Sequence, residues 1–196
     1  MKTLVILAGG LSTRMGRDKA LLVINGETFI ERICRNALIW FDRGIISAGS
    51  ADHENRLKEL PFLRESAVET VTDLYEKRGP LGGIVSVLES TDAESFAVIS
   101  TDVPGADMEV LLRLYDERER LGVKAACLEL EGHVEPLIAA YGRTALPDFK
   151  RALEEGNNKI RAALREDDIA VIRADNRDVA NAFANINTPK EYEGLC

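Results

Sequence analysis

Thr3-Leu4-Val5-Ile6-Leu7-Ala8-Gly9-Gly10-Leu11-Ser12-Thr13-Arg14-Met15-Gly16-Arg17-Asp18-Lys19 passes from an unbroken apolar run into a loop rich in glycine and cations. Residues Thr3 to Leu7 show no polar alternation, as expected of a parallel strand buried on both faces. The loop begins at the C-terminal end of that strand, where open α/β sheets bind ligands. Glycine lets the backbone approach a ligand closely and adopt φ > 0. Successive backbone N–H groups can then form an anion-binding nest. The chain carries a net charge of -8, yet Arg14, Arg17 and Lys19 stand within six residues. A triphosphate needs such a local concentration of positive charge. A purely structural turn would also fit the glycines taken alone. Two familiar phosphate motifs are absent. Gly16 is followed by Arg17-Asp18-Lys19-Ala20 rather than by Lys-Ser/Thr, and the adjacent Gly9 and Gly10 break a GxGxxG pattern.

Outward from this loop, helical and strand patterns alternate. Phe29, Ile30, Ile33, Ala37 and Leu38 lie at helical spacing and predict a helix over Glu27 to Phe41. Gly44 to Ala48 reads as a second strand, Ala51 to Leu60 as a polar helix stopped by Pro61, and Val68 to Thr72 as a third strand. After a loop over Asp73 to Arg78, an apolar helix over Leu81 to Leu88 is opened by Gly79-Pro80, with proline in the first turn. Phe96 to Ser100 reads as a strand and Asp107 to Leu121 as a helix. Val123 to Leu130 and Pro136 to Tyr141 read as strands flanking Glu131-Gly132. Helices follow around Leu146 to Glu155 and Lys159 to Arg165, then a late strand over Ile169 to Arg173. The alternation predicts an α/β fold: a single-domain three-layer sandwich over residues 1–196, with a mostly parallel, Rossmann-like sheet.

Composition narrows the function. A chain of 196 residues, 45% hydrophobic and 30% charged, has the make-up of a globular domain with a sizeable core. Its acidity argues against nucleic acid and anionic membrane as partners. Cys34, Cys127 and Cys196 form no CxxC pair, which speaks against a zinc site or a disulfide framework. Cys34 and Cys127 read as core residues. No apolar run nears the roughly 20 residues of a membrane span, and Leu4 to Ala8 is too short for a signal-peptide core. A cytoplasmic location is expected. His53 and His133 read as surface residues.

Leu7 to Leu22, LAGGLSTRMGRDKALL, resembles the signature loop of the nucleotidyltransferases that share the nucleotide-diphospho-sugar transferase fold. More narrowly, it is similar to the molybdenum cofactor guanylyltransferase family, with its pattern LAGG-x-S-x-RMG-x-DK-x-LL. The resemblance extends to residue 193. It implies transfer of GMP from GTP to the phosphate of the molybdenum–molybdopterin cofactor, with release of pyrophosphate and Mg²⁺ as cofactor. Leu7, Ala8, Gly9, Gly10 and Ser12 would lie along the nucleotide, and Arg14 and Lys19 would contact its phosphates. Asp73 and Gly79-Pro80-Leu81 match the aspartate and GPLAG segment that contribute to the guanosine pocket, with Gly82 where alanine is usual.

Asp102, at the end of a predicted strand, is a reasonable Mg²⁺ ligand on its own chemistry, since that ion takes one or two carboxylates plus phosphate oxygens and water. It also fits a turn before Pro104. The resemblance of Ser100-Thr101-Asp102-Val103-Pro104 to the family's CD-x-P motif favours the metal role and makes Arg14, Lys19 and Asp102 the catalytic set. Glu135, in an EPL segment, and Asn185 and Asn187, in an NINTP segment, would face the acceptor. Ser47 stands where the family often has asparagine near the nucleotide. A hydroxyl offers fewer hydrogen bonds than an amide. Proteins that deliver or receive the cofactor would be partners. The rivals are a sibling with another base or acceptor, such as a molybdenum cofactor cytidylyltransferase, and a non-catalytic nucleotide-binding protein. Siblings tend to carry LAAG and a proline before the lysine. Gly9-Gly10 and Asp18-Lys19 favour the guanylyl branch.

Overall fold

A computed structural model describes residues 1–9, 18–64, 66–75, 77–173 and 177–194 of the chain. The first strand, β1 (Thr3–Leu7), is buried along its whole length. A short 3-10 turn over Lys19–Leu21 leads into a hairpin of β2 (Val23–Ile24) and β3 (Glu27–Thr28). Then come α1 (Phe29–Ala37), β4 (Arg43–Ser47), α2 (Ala51–Lys58), β5 (Val68–Val71), α3 (Gly79–Ser90), β6 (Ser95–Ser100) and α4 (Met108–Leu121). The second half holds β7 (Ala125–Leu130), β8 (His133–Gly142), α5 (Leu146–Glu154), α6 (Ile160–Ala163), β9 (Ile169–Arg173), α7 (Arg177–Ala182) and α8 (Pro189–Glu193).

Seven strands form one sheet in the order β5-β4-β1-β6-β8-β7-β9. Every pairing is parallel except those of β8, which runs antiparallel to both β6 and β7. Side chains alternate across β1 and divide the core between two faces. Leu4 and Ile6 join a cluster with Ile30 and Ile33 of α1, Leu57 of α2 and Leu111 and Leu114 of α4. Val5 and Leu7 join the other, with Leu81, Ile84, Val85 and Leu88 of α3 and Phe149 of α5. The expected three layers and mostly parallel sheet are therefore present. Cys34 and Cys127 are buried as expected. Among the described residues, no helix is long and apolar enough to cross a membrane.

Local chemistry fixes the boundaries. Thr28 accepts from the Glu31 N–H while the Glu31 carboxylate accepts from the Thr28 N–H, a capping box that starts α1 two residues later than the periodicity predicts. Residues Glu27 and Thr28 are instead a strand, because Asn25 (φ 53°) and Gly26 (φ 82°) turn the chain back on Val23–Ile24. Asp107 caps α4 through the Glu109 and Val110 N–H groups, and Gly122, at φ 66°, ends it. Glu131 and Gly132 adopt the positive φ of a tight hairpin between β7 and β8.

The C-terminal segment returns to the start of the chain. Ile186 packs with Leu22, Ile24 and Phe29, and Tyr192 lies against this small cluster. The Tyr192 hydroxyl donates to the Val23 carbonyl at 2.6 Å, and the Ile186 N–H donates to the Asp102 carbonyl at 2.7 Å. This return places the NINTP segment across the C-terminal edge of the sheet.

Candidate active site

The strand order reverses at β1, whose neighbours are β4 and β6. In an open α/β sheet the crevice at such a point is where ligands bind. The C-terminal ends of β1, β4, β5 and β6 are laced together there. The Ala8 N–H donates to Ser47 O (2.9 Å), the Ala48 N–H to Val71 O (2.8 Å) and the Thr101 N–H to Leu7 O (3.2 Å). Leu7, Ala8 and Leu81 are buried. Their side chains belong to the core, so contact with a ligand falls to their backbone. Gly9, Gly79 and Pro80 are exposed. A Cβ on Gly9 would lie 2.7 Å from Gly49 Cα. Glycine is thus required at position 9 by the adjoining chain. Gly10, Ser12 and Arg14, expected along the nucleotide, lie outside the described residues.

Lys19, Asp102 and Asn187 meet at this edge from three distant parts of the chain. Lys19 Nζ donates to Asn187 Oδ1 at 2.6 Å and lies 3.9 Å from Asp102 Oδ2. The Asp102 carboxylate also accepts from the Ser100 hydroxyl through Oδ1. Both side chains are only partly exposed, 16% for Lys19 and 25% for Asp102, so their attraction is screened less than at an open surface. Among the described residues, no group of three or more His, Cys, Asp or Glu side chains could hold a metal. A single carboxylate still fits Mg²⁺, which takes one or two carboxylates plus phosphate oxygens and water. Asn185 is exposed on the same segment as Asn187. Glu135 lies on β8, where Val98 pairs with Ala139. The register of β8 breaks after Ala139, and Glu135 pairs with Leu128 of β7 rather than continuing past β6.

Asp73 stands on the other side of the crevice, after β5. The Ser47 hydroxyl donates to Asp73 Oδ1 at 2.5 Å. Ser47, buried at the end of β4, therefore orients the carboxylate expected to meet the nucleoside. Burial pushes the Asp73 carboxyl above the ordinary aspartate range, against the opposing effects of the Ser47 hydrogen bond and His53. A Cβ on Gly83 would lie 2.5 Å from Ser47 Oγ, so α3 presses directly on this pair.

Gly82 departs from the expected alanine for a local reason. A Cβ there would stand 2.8 Å from Tyr75 O and 2.9 Å from Arg78 Cβ. The loop before α3 is drawn in by Ser86, which is buried, donates to Gly82 O at 2.7 Å and accepts from the Leu74 N–H at 2.8 Å. Gly82→Ala is expected to lower unfolding free energy by about 1–3 kcal/mol through overpacking. Urea unfolding of the two proteins would measure it, and an unchanged midpoint would mean the loop yields freely.

His53 corrects the sequence expectation. It is 7% exposed, with Nε2 3.0 Å from Asp18 Oδ2, whereas His133 is exposed as expected. The expectation failed because α2 is polar and its inward face comprises only His53 and Leu57, one turn apart. Asp18, which the sequence offered only as part of the Asp18-Lys19 pair, is the partner of His53. Burial opposes its charge, but His53, Arg56 and the Ala20 N–H outweigh that cost and hold its carboxyl below the ordinary value of 3.8. This difference stabilises the folded chain above that ordinary value, and the gain is lost as pH falls through the lowered one.

Residues 4–173 match the MobA-like NTP transferase domain. A Bacillus cereus (strain B4264) protein named "Probable molybdenum cofactor guanylyltransferase" is 28% identical over 192 residues, covering 96% of this chain and 92% of the relative. A Bacillus cytotoxicus protein of the same name is 29% identical over 198 residues, covering 97% and 94%. The crystal structure of molybdopterin-guanine dinucleotide biosynthesis protein A from Archaeoglobus fulgidus superposes with a TM-score of 0.81 at 25% identity, covering 98% of this chain and 96% of that one.

Proposed function

The chain belongs to the MobA-like NTP transferase domain family, and from that premise we propose that it transfers GMP from GTP to the terminal phosphate of the molybdenum–molybdopterin cofactor. The products are molybdopterin guanine dinucleotide and pyrophosphate. The observation that carries this reading is the meeting of Lys19, Asp102 and Asn187 at the crevice beside β1. The names of the relatives, which cover nearly the whole chain, support the choice of nucleotide and acceptor.

In this reading a phosphate oxygen of the acceptor attacks the α-phosphorus of GTP in line. The new P–O bond forms as the bond to the β-phosphate bridging oxygen breaks, and pyrophosphate carries away the electron pair. The acceptor phosphate is already anionic near neutral pH, so no general base is needed. Catalysis is then positioning and charge stabilisation. Lys19 lies where its ammonium can meet the phosphates, and Arg14 supplies a second cation. Asp102 would hold Mg²⁺, which when bound neutralises phosphate charge. Asp73 and the backbone at Gly79 to Leu81 would take the guanosine. Glu135, Asn185 and Asn187 would flank the acceptor.

Guanine presents an acceptor carbonyl and a donor amine together. A pocket built for both rejects a base lacking them, because its own polar groups are left unpaired. GTP is therefore expected to exceed CTP and ATP by at least about tenfold in kcat/KM. Competition among the four nucleotides with purified protein and molybdopterin measures this. A preference for CTP would overturn the guanylyl assignment and leave the transferase chemistry standing.

A further inference from the structure

The residues on either side of positions 10–17 are both gripped by the β4–α2 junction. Gly9 packs against Gly49, and Asp18 is held by the first two turns of α2. Asp18 Oδ2 lies 3.0 Å from His53 Nε2 and 3.1 Å from Arg56 Nη2. Its other oxygen accepts from the Ala20 N–H at 3.1 Å and so caps the turn that carries Lys19. His53 is itself set in place by Ser50, whose hydroxyl oxygen caps α2 by accepting from the His53 N–H at 3.2 Å. Arg56 is half-exposed, with 53% of its side chain accessible, whereas the imidazole is enclosed. A histidine buried only to fill space would leave its ring nitrogens away from charge. Here Nε2 lies 3.0 Å from Asp18 Oδ2, and both atoms are buried. Neither has a hydrogen-bond partner among the described residues, so each is left to the charge contact between them and with Arg56.

We infer that His53 is a positioning residue for Lys19, acting through Asp18. With the proton on Nε2, the ring fixes the Asp18 carboxylate, and that carboxylate fixes the turn from which Lys19 reaches Asn187 and Asp102. The inference rests on the nucleotidyl-transfer reading for its effect on rate, but not for the anchor itself.

Two substitutions separate the polar role from packing. His53→Leu keeps an apolar side chain beside Leu57 and removes the donor. His53→Gln replaces the ring with an amide N–H of similar reach. Three readouts are taken on the full chain: hydrogen exchange at the Ala20 and Leu22 amides, thermal midpoint, and pyrophosphate release with GTP, Mg²⁺ and molybdopterin. His53→Leu is expected to speed exchange at Ala20 at least about tenfold and to lower kcat/KM by about tenfold, since small misplacements of a reacting group are costly. His53→Gln should recover most of both. In a Lys19→Ala background, His53→Leu should cause little further loss in turnover, because the two act as one unit. Equal exchange at Ala20 in all three proteins would overturn the anchor. Losses that add in full to those of Lys19→Ala would overturn the positioning role. Inactivity of the unmodified protein with GTP would instead count against the proposed reaction, and the exchange arm would still decide the anchor.

Discussion

Replacing Lys19 with alanine is expected to cut pyrophosphate release about 10- to 150-fold while the fold survives. The loss corresponds to removing one charge-assisted phosphate contact, about 1.5–3 kcal/mol. Lys19 sits in a short turn rather than in a core, with its ammonium 2.6 Å from Asn187 Oδ1 at the crevice. The thermal cost comes from local contacts that include the charge-assisted hydrogen bond to Asn187 and the pair with Asp102, about 1.5–3 kcal/mol for the hydrogen bond. Lys19→Arg keeps the charge but spreads it over a planar fork, so it should recover only part of the rate. Steady-state turnover with GTP, set beside the unfolding midpoint, separates the two effects. Unmodified turnover in the alanine variant would remove Lys19 from the site.

Asp102→Asn should have an effect at least as large, of a different kind. The substitution keeps the shape. The backbone carbonyl still accepts from Ile186, and an amide oxygen can still accept from the Ser100 hydroxyl. What changes is the donor offered to a hard cation, for which an amide is a poorer ligand than a carboxylate. Electrostatic help of several kcal/mol to phosphate chemistry is at stake, so turnover at millimolar Mg²⁺ is expected to fall at least about a hundredfold. Part of it should return as Mg²⁺ is raised. A titration of rate against Mg²⁺ distinguishes the outcomes. An unchanged dependence would make Asp102 a turn residue that happens to face Lys19.

The main elements were legible because their signals are local. Thr3 to Leu7 is an unbroken apolar run that fits a buried strand, and Gly79-Pro80 opens α3 where proline is tolerated. Asp107 and Gly122 marked the ends of α4. The β2–β3 hairpin was overlooked although Asn25-Gly26 signals a tight turn, because the helical spacing from Phe29 onward was extended back over Glu27 and Thr28. Strand order depends on contacts between distant segments, which periodicity does not encode, whereas the reversed direction of β8 follows from its two-residue turn with β7. The same holds within the site. Lys19, Asp102 and Asn187 were each named from sequence, but their approach depends on Ile186 and Tyr192 folding back onto the hairpin. His53 was misplaced because a polar helix hides which of its faces turns inward. Ser47 read as a weakened nucleotide contact, whereas its hydroxyl is committed to Asp73.

The central claim is the chemical one, and it is tested most directly by the product. Purified protein would be incubated with Mg²⁺, metal-loaded molybdopterin and all four nucleoside triphosphates, and the pterin fraction analysed by mass spectrometry. The predicted product is the acceptor increased by one GMP unit, with one pyrophosphate released for each product formed. Unmodified pterin accompanied by release of inorganic phosphate, or an acceptor carrying CMP in place of GMP, would contradict it.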